Sequence, residues 1–402
     1  MDSAPVAVIF HRLGPYHWAR MEAAAKNLKL LAIEEAADSA EYAWDKVEGE
    51  ASFRRLTLFG SGEGGEVERC EMPARIWAAL EQARPSAVAV PGWTDRAALA
   101  AILWCMRPDR RTPVVVMSAS TVRDAPRVWW KEWIKRRIVG LCGAGLAGGT
   151  LQTEYLAQLG MPVARIFTGY DVVDNEHFAA GAATARREAA TLRARLALPE
   201  RYFLACNRFV EKKNLSRLLA AYASYVRENE AEAWDLVLLG DGPLRGALAS
   251  QAEALGLRSR VHFPGFQQYD SLPAYYGLAG AFVHVSTSEQ WGLVVNEAMA
   301  AGLPVVVSDR CGCAADLVVE GRNGFCLDPF DVAGITRCLV RISADPDERR
   351  RLGEGSRAII RPWSVDRFAD GLQSAVAAAR NQPPRSRAPM LNRLLVRALL
   401  RA

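Results

Sequence analysis

No apolar run in this chain approaches the ~18 residues of a membrane-spanning helix, which argues against an integral membrane protein. The opening residues, MDSAPVAVIFHRLG, lack the basic region and long apolar core of a signal peptide, so a first strand is expected there instead. Eight cysteines are present without one Cys-x2-Cys pair. Cys311 and Cys313 flank Gly312, but no second pair or His cluster completes a metal site. Reduced thiols and a cytoplasmic location go with that usage. No acid cluster suits a divalent cation. An excess of one charge is also lacking: 50 Lys and Arg face 45 Asp and Glu. The surplus sits largely in Arg385, Arg387, Arg393, Arg397 and Arg401, a stretch without an acid. General nucleic-acid binding is disfavoured by that balance. Internal repeats and long low-complexity tracts are absent as well.

What is present is a globular composition of 402 residues, 50% hydrophobic and 24% charged, long enough for two or three domains with full cores. Short apolar runs at 6–10, 30–33, 87–90, 114–117 and 145–147 read as strands. Helical stretches at 16–26, 74–83, 96–106, 128–139 and 151–159 separate or follow them. Such alternation predicts a doubly wound parallel sheet. It continues with strands at 202–206, 235–239 and 261–263, a helix at 215–227, and a last amphipathic helix at 364–379.

Residues 281–309, AFVHVSTSEQWGLVVNEAMAAGLPVVVSD, concentrate the chemistry. A strand, a polar loop at 286–292, a helix at 293–301 stopped by Gly302 and a second strand make a parallel crossover. Open α/β sheets bind ligands beyond the carboxyl ends of their strands. The N–H groups of Gly292, Leu293 and Val294 would open the helix and suit a phosphate oxygen, and Gly292 has no side chain to hold an anion off. Glu297, one turn in, has the position to accept hydrogen bonds from a ribose diol. Glu289, before the helix, can address whatever the phosphates carry. The alternative is a pair of solvated carboxylates.

Upstream, NRFVEKKN places Arg208 and Lys213 on a loop at a strand's carboxyl end, where two cations suit a diphosphate. Lys212 is the rival to Lys213, and a solvated basic loop is the alternative. Gly240 opens a turn that a nucleotide can approach closely. Gly265 and Phe266 offer a wall for a base, or an ordinary loop.

The context of the two acids, S-x2-E-x2-G-L-x3-E-A-M-A-x-G-x-P-V-V, resembles the Glu-x7-Glu motif of the retaining glycosyltransferases of family 4. That resemblance implies the α/β GT-B fold: two Rossmann-like doubly wound domains facing a central cleft, with a C-terminal helix crossing back to the first domain. The expected division is 1–185 with 364–380 as the acceptor side, 198–363 as the nucleotide-sugar domain, and 381–402 as a basic amphipathic tail. It implies that Arg208 and Lys213, in an R-x4-K spacing, bind the nucleoside diphosphate. In HRLGPYHWAR it points to Gly14 and His17 on the acceptor side, with His11, Tyr16 and Arg20 as further candidates. One Gly and a Pro stand where the family has adjacent glycines. A His of many members is missing too; MSASTVRD offers Ser118, Ser120 or Asp124 instead.

The implied activity is sugar transfer from a nucleoside-diphosphate donor to a glycan or lipid-linked acceptor, with retention, without metal or cofactor. A nucleotide-sugar-binding scaffold without turnover and a GT-B sugar-nucleotide epimerase are the alternatives; nothing argues for the pyridoxal-phosphate lysine of a phosphorylase. Two basic stretches, RVWWKEWIKRR at 127–137 and the Leu- and Arg-rich tail from Met390, suggest contact with an anionic membrane surface. Packing on the protein is the other reading of both.

Overall fold

The computed structural model describes residues 4–37, 44–60, 66–107, 109–382 and 390–401. They form two compact units, Met1–Val172 with Val365–Ala402, and Val173–Ser364.

The first unit is built on β1 (Val6–Phe10), β2 (Leu30–Ala36), β3 (Arg54–Phe59), β4 (Ala87–Pro91), β5 (Val114–Ser118), β6 (Ala144–Ala147) and β7 (Ile166–Thr168). All pair in parallel, in the order β3-β2-β1-β4-β5-β6-β7. Every residue of β1, β2 and β5 is buried, because helices cover both faces, and this is why β1, β5 and the first half of β2 are legible as apolar runs; β2 also buries Glu34 and Glu35. The outer strands β3 and β7 were not expected. RRLTLF begins with two arginines and is only half-covered, and IFT is three residues long, so neither carries the apolar run of a central strand. Helix Val365–Arg380 belongs to this unit, as the resemblance implied, and packs on helix Pro15–Ala25 and beneath β7. Its small residues permit the approach: a Cβ on Gly371 would stand 2.4 Å from the Thr168 carbonyl oxygen.

The second unit holds β8 (Tyr202–Cys206), β9 (Asp235–Leu239), β10 (Val261–Gly265), β11 (Ala281–His284), β12 (Val305–Ser308) and β13 (Gly324–Leu327). Their order is β10-β9-β8-β11-β12-β13, again parallel throughout. Both units are therefore Rossmann-like.

The division falls earlier than residue 185. Helix Asn175–Arg187 packs against helix Leu272–Leu278 of the second unit at a glycine-lined contact. A Cβ on Gly277 would meet the Ala182 backbone at 2.8 Å, and one on Gly181 would meet Pro273 at 2.5 Å. The Arg- and Ala-rich segment that follows forms two helices, Asn175–Arg187 and Ala189–Leu196, broken at Glu188. The tail forms helix Met390–Arg401, and it is docked: Val396 is fully buried in the first unit's core, against helices Arg96–Cys105 and Trp129–Val139.

Candidate functional site

In the second sheet, β8 continues to β9 on one side while β11 continues to β12 on the other, so β8 and β11 flank the point where strand order reverses. The loops leaving these two strands carry the residues singled out by sequence. After β8, Asn207 N–H donates to the Leu239 carbonyl at 2.9 Å and Phe209 N–H to the Asp241 carbonyl at 2.8 Å. A single turn, Glu211–Lys213, follows. Asn214, in the left-handed region at φ 58, then donates its amide to Val285 at 3.0 Å and Pro329 at 2.8 Å. From the other loop, Thr287 N–H reaches the Lys212 carbonyl at 2.8 Å. The two loops are thus knitted through their backbones.

That stitching turns Lys213 inward and leaves the Lys212 side chain exposed. Lys213 Nζ donates to Glu289 Oε2, both side chains being largely buried. The same oxygen lies 3.6 Å from Nε2 of His284, a fully buried residue that closes β11 and whose Nε2 is 3.2 Å from Ser286 Oγ. Burial alone would raise the Glu289 pKa, but the His284 hydrogen bond and the Lys213 charge outweigh it and hold the carboxyl well below its ordinary value. Burial lowers the pKa of His284 against the pull of Glu289, so the nearby positive charge is chiefly that of Lys213. A carboxylate kept ionised in this way can accept hydrogen bonds from hydroxyl groups.

The chain just after Glu289 is gripped from the β12 side. Gly312 N–H donates to the Glu289 carbonyl at 3.0 Å, and Cys313 N–H to that of Trp291 at 3.1 Å. Gly292 then opens helix Leu293–Ala300 at φ 104, a conformation natural to glycine, and among the described residues no side chain caps this terminus. Leu293 and Val294 in its first turn are half-exposed. Glu297 stands in a different setting from Glu289: it is fully buried and accepts from the Tyr276 hydroxyl at 2.6 Å. Gly240 has φ 120, and a Cβ there would lie 1.9 Å from the Asn207 carbonyl, so the β8 and β9 loops touch only because it is glycine. Gly265, at φ 87, accepts from Gly240 N–H at 3.0 Å, and Phe266 beside it is exposed. Arg208 is exposed on the β8 loop.

In the first unit the reversal lies between β1 and β4. Gly14 caps helix Pro15–Ala25 at φ −82, and none of the described residues stands where its Cβ would be, so they do not call for glycine there. His17 Nδ1 donates to the Arg12 carbonyl at 3.0 Å, which leaves Nε2 as an acceptor. Burial, aided by the Arg20 charge, lowers its pKa to about 3. Arg20 is buried and donates to the Val172 carbonyl at 2.9 Å, a structural tie. Asp124 accepts from the N–H and hydroxyl of Thr121 within its own turn, at 2.9 and 2.6 Å. Ser118 is buried, and its Oγ accepts from Ser120 N–H at 3.2 Å.

Sequence reasoning passed over His284 and, in the first unit, Glu35. Burial, opposed by His11 Nδ1 at 3.3 Å and reinforced by the Asp95 charge, raises the Glu35 pKa to about 7. The available signals were a His ending an apolar run and two acids inside one, LLAIEEA. Among the described residues no group of three or more His, Cys, Asp or Glu is placed to hold a metal ion.

Residues 189–359 match the family described as glycosyl transferases group 1. The lipopolysaccharide core biosynthesis glycosyltransferase LpsE of Rhizobium meliloti is 33% identical over 176 residues, 44% of this chain and 49% of that protein. The GDP-mannose-dependent alpha-(1-6)-phosphatidylinositol monomannoside mannosyltransferase of Mycolicibacterium smegmatis is 30% identical over 44% of this chain and 47% of its own. The chain therefore spans about half the length of these curated relatives. Among solved structures, Anabaena HepE in complex with UDP superposes with a TM-score of 0.71 at 18% identity, covering 93% of this chain and 99% of that one. The fold is GT-B.

Proposed function

We propose that the chain is a retaining, metal-independent glycosyltransferase of family 4 that moves a hexosyl group from a nucleoside-diphosphate sugar to a glycan or lipid-linked acceptor. The observation that carries this reading is the Lys213–Glu289 pair at the reversal of strand order, beside the uncapped helix terminus at Gly292. The family match over residues 189–359 and the UDP-bound state of HepE support it. Breaking the bond between the sugar's anomeric carbon and the diphosphate leaves negative charge on the departing oxygen. Arg208, Lys213 and the N–H groups of Gly292–Val294 stabilise that charge without a metal. Glu297 holds the ribose, with Tyr276 fixing its carboxylate. Glu289, ionised by its neighbours, accepts from the donor sugar's hydroxyls and positions the anomeric carbon.

The acceptors named for the two curated relatives, a lipopolysaccharide core and a phosphatidylinositol mannoside, favour an acceptor presented at a membrane. We accordingly place the protein in the cytoplasm, peripheral to the inner face of the membrane; no helix of the described residues is long and apolar enough to cross one. The test is product analysis over UDP- and GDP-sugars with lipid-linked and free glycan acceptors, with and without EDTA. Release of nucleoside diphosphate matched by an α-linked product from an α-configured donor is expected. Nucleotide binding without release would instead indicate a scaffold, and interconversion of the donor sugar an epimerase.

A further inference from the structure

We propose that the exposed face of helix Trp129–Val139, extended by helix Met390–Arg401, is a docking surface for an anionic lipid bilayer. Trp129 is 81% exposed, Trp130 47% and Trp133 38%, unusual for the largest apolar side chain. Helical spacing puts Trp129, Trp130 and Trp133 on one side, followed by Arg136 and Arg137 three and four residues after Trp133. Ile138 and Val139 are buried and root the helix.

Two further features identify the partner. The only acid of this helix, Glu132, is engaged away from that face: it accepts from Lys135 Nζ at 2.8 Å, Arg127 Nη1 at 3.3 Å and the Tyr155 hydroxyl at 2.9 Å. Of the cations that remain, two lie on the rings, with Lys131 Nζ 5.4 Å from the centroid of Trp130 and Arg137 Cζ 4.9 Å from that of Trp133. Indole rings interleaved with cations match the headgroup layer of a bilayer, where Trp resides at the interface and anionic lipids attract Lys and Arg. A second copy of the chain fits poorly, since a two-fold contact would set these cations against their own copies.

The tail enlarges this surface by docking. Asn392 Nδ2 donates to the Arg137 carbonyl at 3.3 Å, Arg393 to that of Met106 at 2.7 Å, and Arg96 to that of Leu400 at 2.7 Å. Val396 goes into the core, while Leu391 and Leu394, each about half-exposed, and Arg397 remain outside. The tail is thus a fixed shoulder to the Trp helix, set by the Asn392–Arg137 contact, and no free amphipathic anchor. Deleting it would uncover the core, so point substitutions are the appropriate probes.

The inference stands on this surface alone and is independent of the transfer reaction. The test is co-sedimentation of the full chain with vesicles of phosphatidylglycerol and phosphatidylcholine, against phosphatidylcholine alone. Binding to the anionic vesicles at low salt, with release at high salt, is expected. The double variant Trp129→Ser, Trp130→Ser should bind at least fivefold less and Leu391→Ser, Leu394→Ser severalfold less, both with unchanged thermal midpoints. Wild-type protein that stays in the supernatant, or Trp variants that bind like wild type, would overturn the proposal. So would a dimer in sedimentation velocity that the Trp substitutions dissociate while vesicles capture nothing.

Discussion

Lys213 and Glu289, 76 residues apart in the chain, close on each other where the loops after β8 and β11 meet. A cation and a carboxylate from two separate loops are thereby held as one unit. His284 and Lys213 together keep the Glu289 carboxylate charged in a largely buried place.

The clamp is tested by separating neighbours. Lys213→Ala or Arg208→Ala should lower turnover by roughly two to three powers of ten, the cost of a lost oxyanion-type donor. Lys212→Ala should change it little, because only the Lys212 carbonyl is used, by Thr287. Steady-state kinetics on the three variants decides it; a dominant Lys212 would refute the assignment of the loop.

The two acids should part in binding. Titration calorimetry with the nucleoside diphosphate alone should show Glu297→Gln weakened and Glu289→Gln near wild type, with Glu289→Gln losing turnover instead. Tyr276→Phe should follow Glu297→Gln in direction, since it removes the hydroxyl that fixes that carboxylate. Equal affinity losses at positions 289 and 297 would undo the division of roles.

Three glycines separate fold from ligand. Gly240→Ala forces a side chain against the Asn207 carbonyl at positive φ and should destabilise by at least about 2 kcal/mol. Gly292→Ala has room but keeps the φ of 104, so a smaller loss, about 1 kcal/mol, is expected. Gly14→Ala meets neither obstacle and should leave the thermal midpoint unchanged. A fall in activity of Gly14→Ala at unchanged stability would then report an approaching acceptor.

Glu35 predicts a pH dependence of stability. Its folded pKa is raised from 4.5 to about 7, chiefly by burial, so between those values the folded state holds a proton that the unfolded state has released. Stability should fall as pH rises through this window, by on the order of 3 kcal/mol, and stay lower above it. Glu35→Gln should flatten that dependence, matching wild type near pH 4 and exceeding it near pH 8. Thermal midpoints across the range measure it; parallel curves for both proteins would show that the site titrates normally.

The sequence by itself determined the central strands of both sheets, the strand–loop–helix unit at 281–309 and the glycines of its turns. Each is a local property: a strand covered on both faces is mostly apolar, and a positive φ selects glycine at one position. The edges of the first sheet were beyond it, because β3 and β7 are held by partners on one side and need little apolar surface of their own. Only tertiary structure decided which lysine turns inward, since the Thr287–Lys212 and Asn214–Val285 hydrogen bonds that orient the loop cross more than 70 residues. The same holds for His284, whose role comes from the Glu289 brought beside it, and for the tail. Its Leu and Arg residues allow an amphipathic helix in either setting, and the Arg137 and Met106 carbonyls fix which side faces the core. Contacts between distant segments depend on loop geometry, and periodicity within a segment does not encode it.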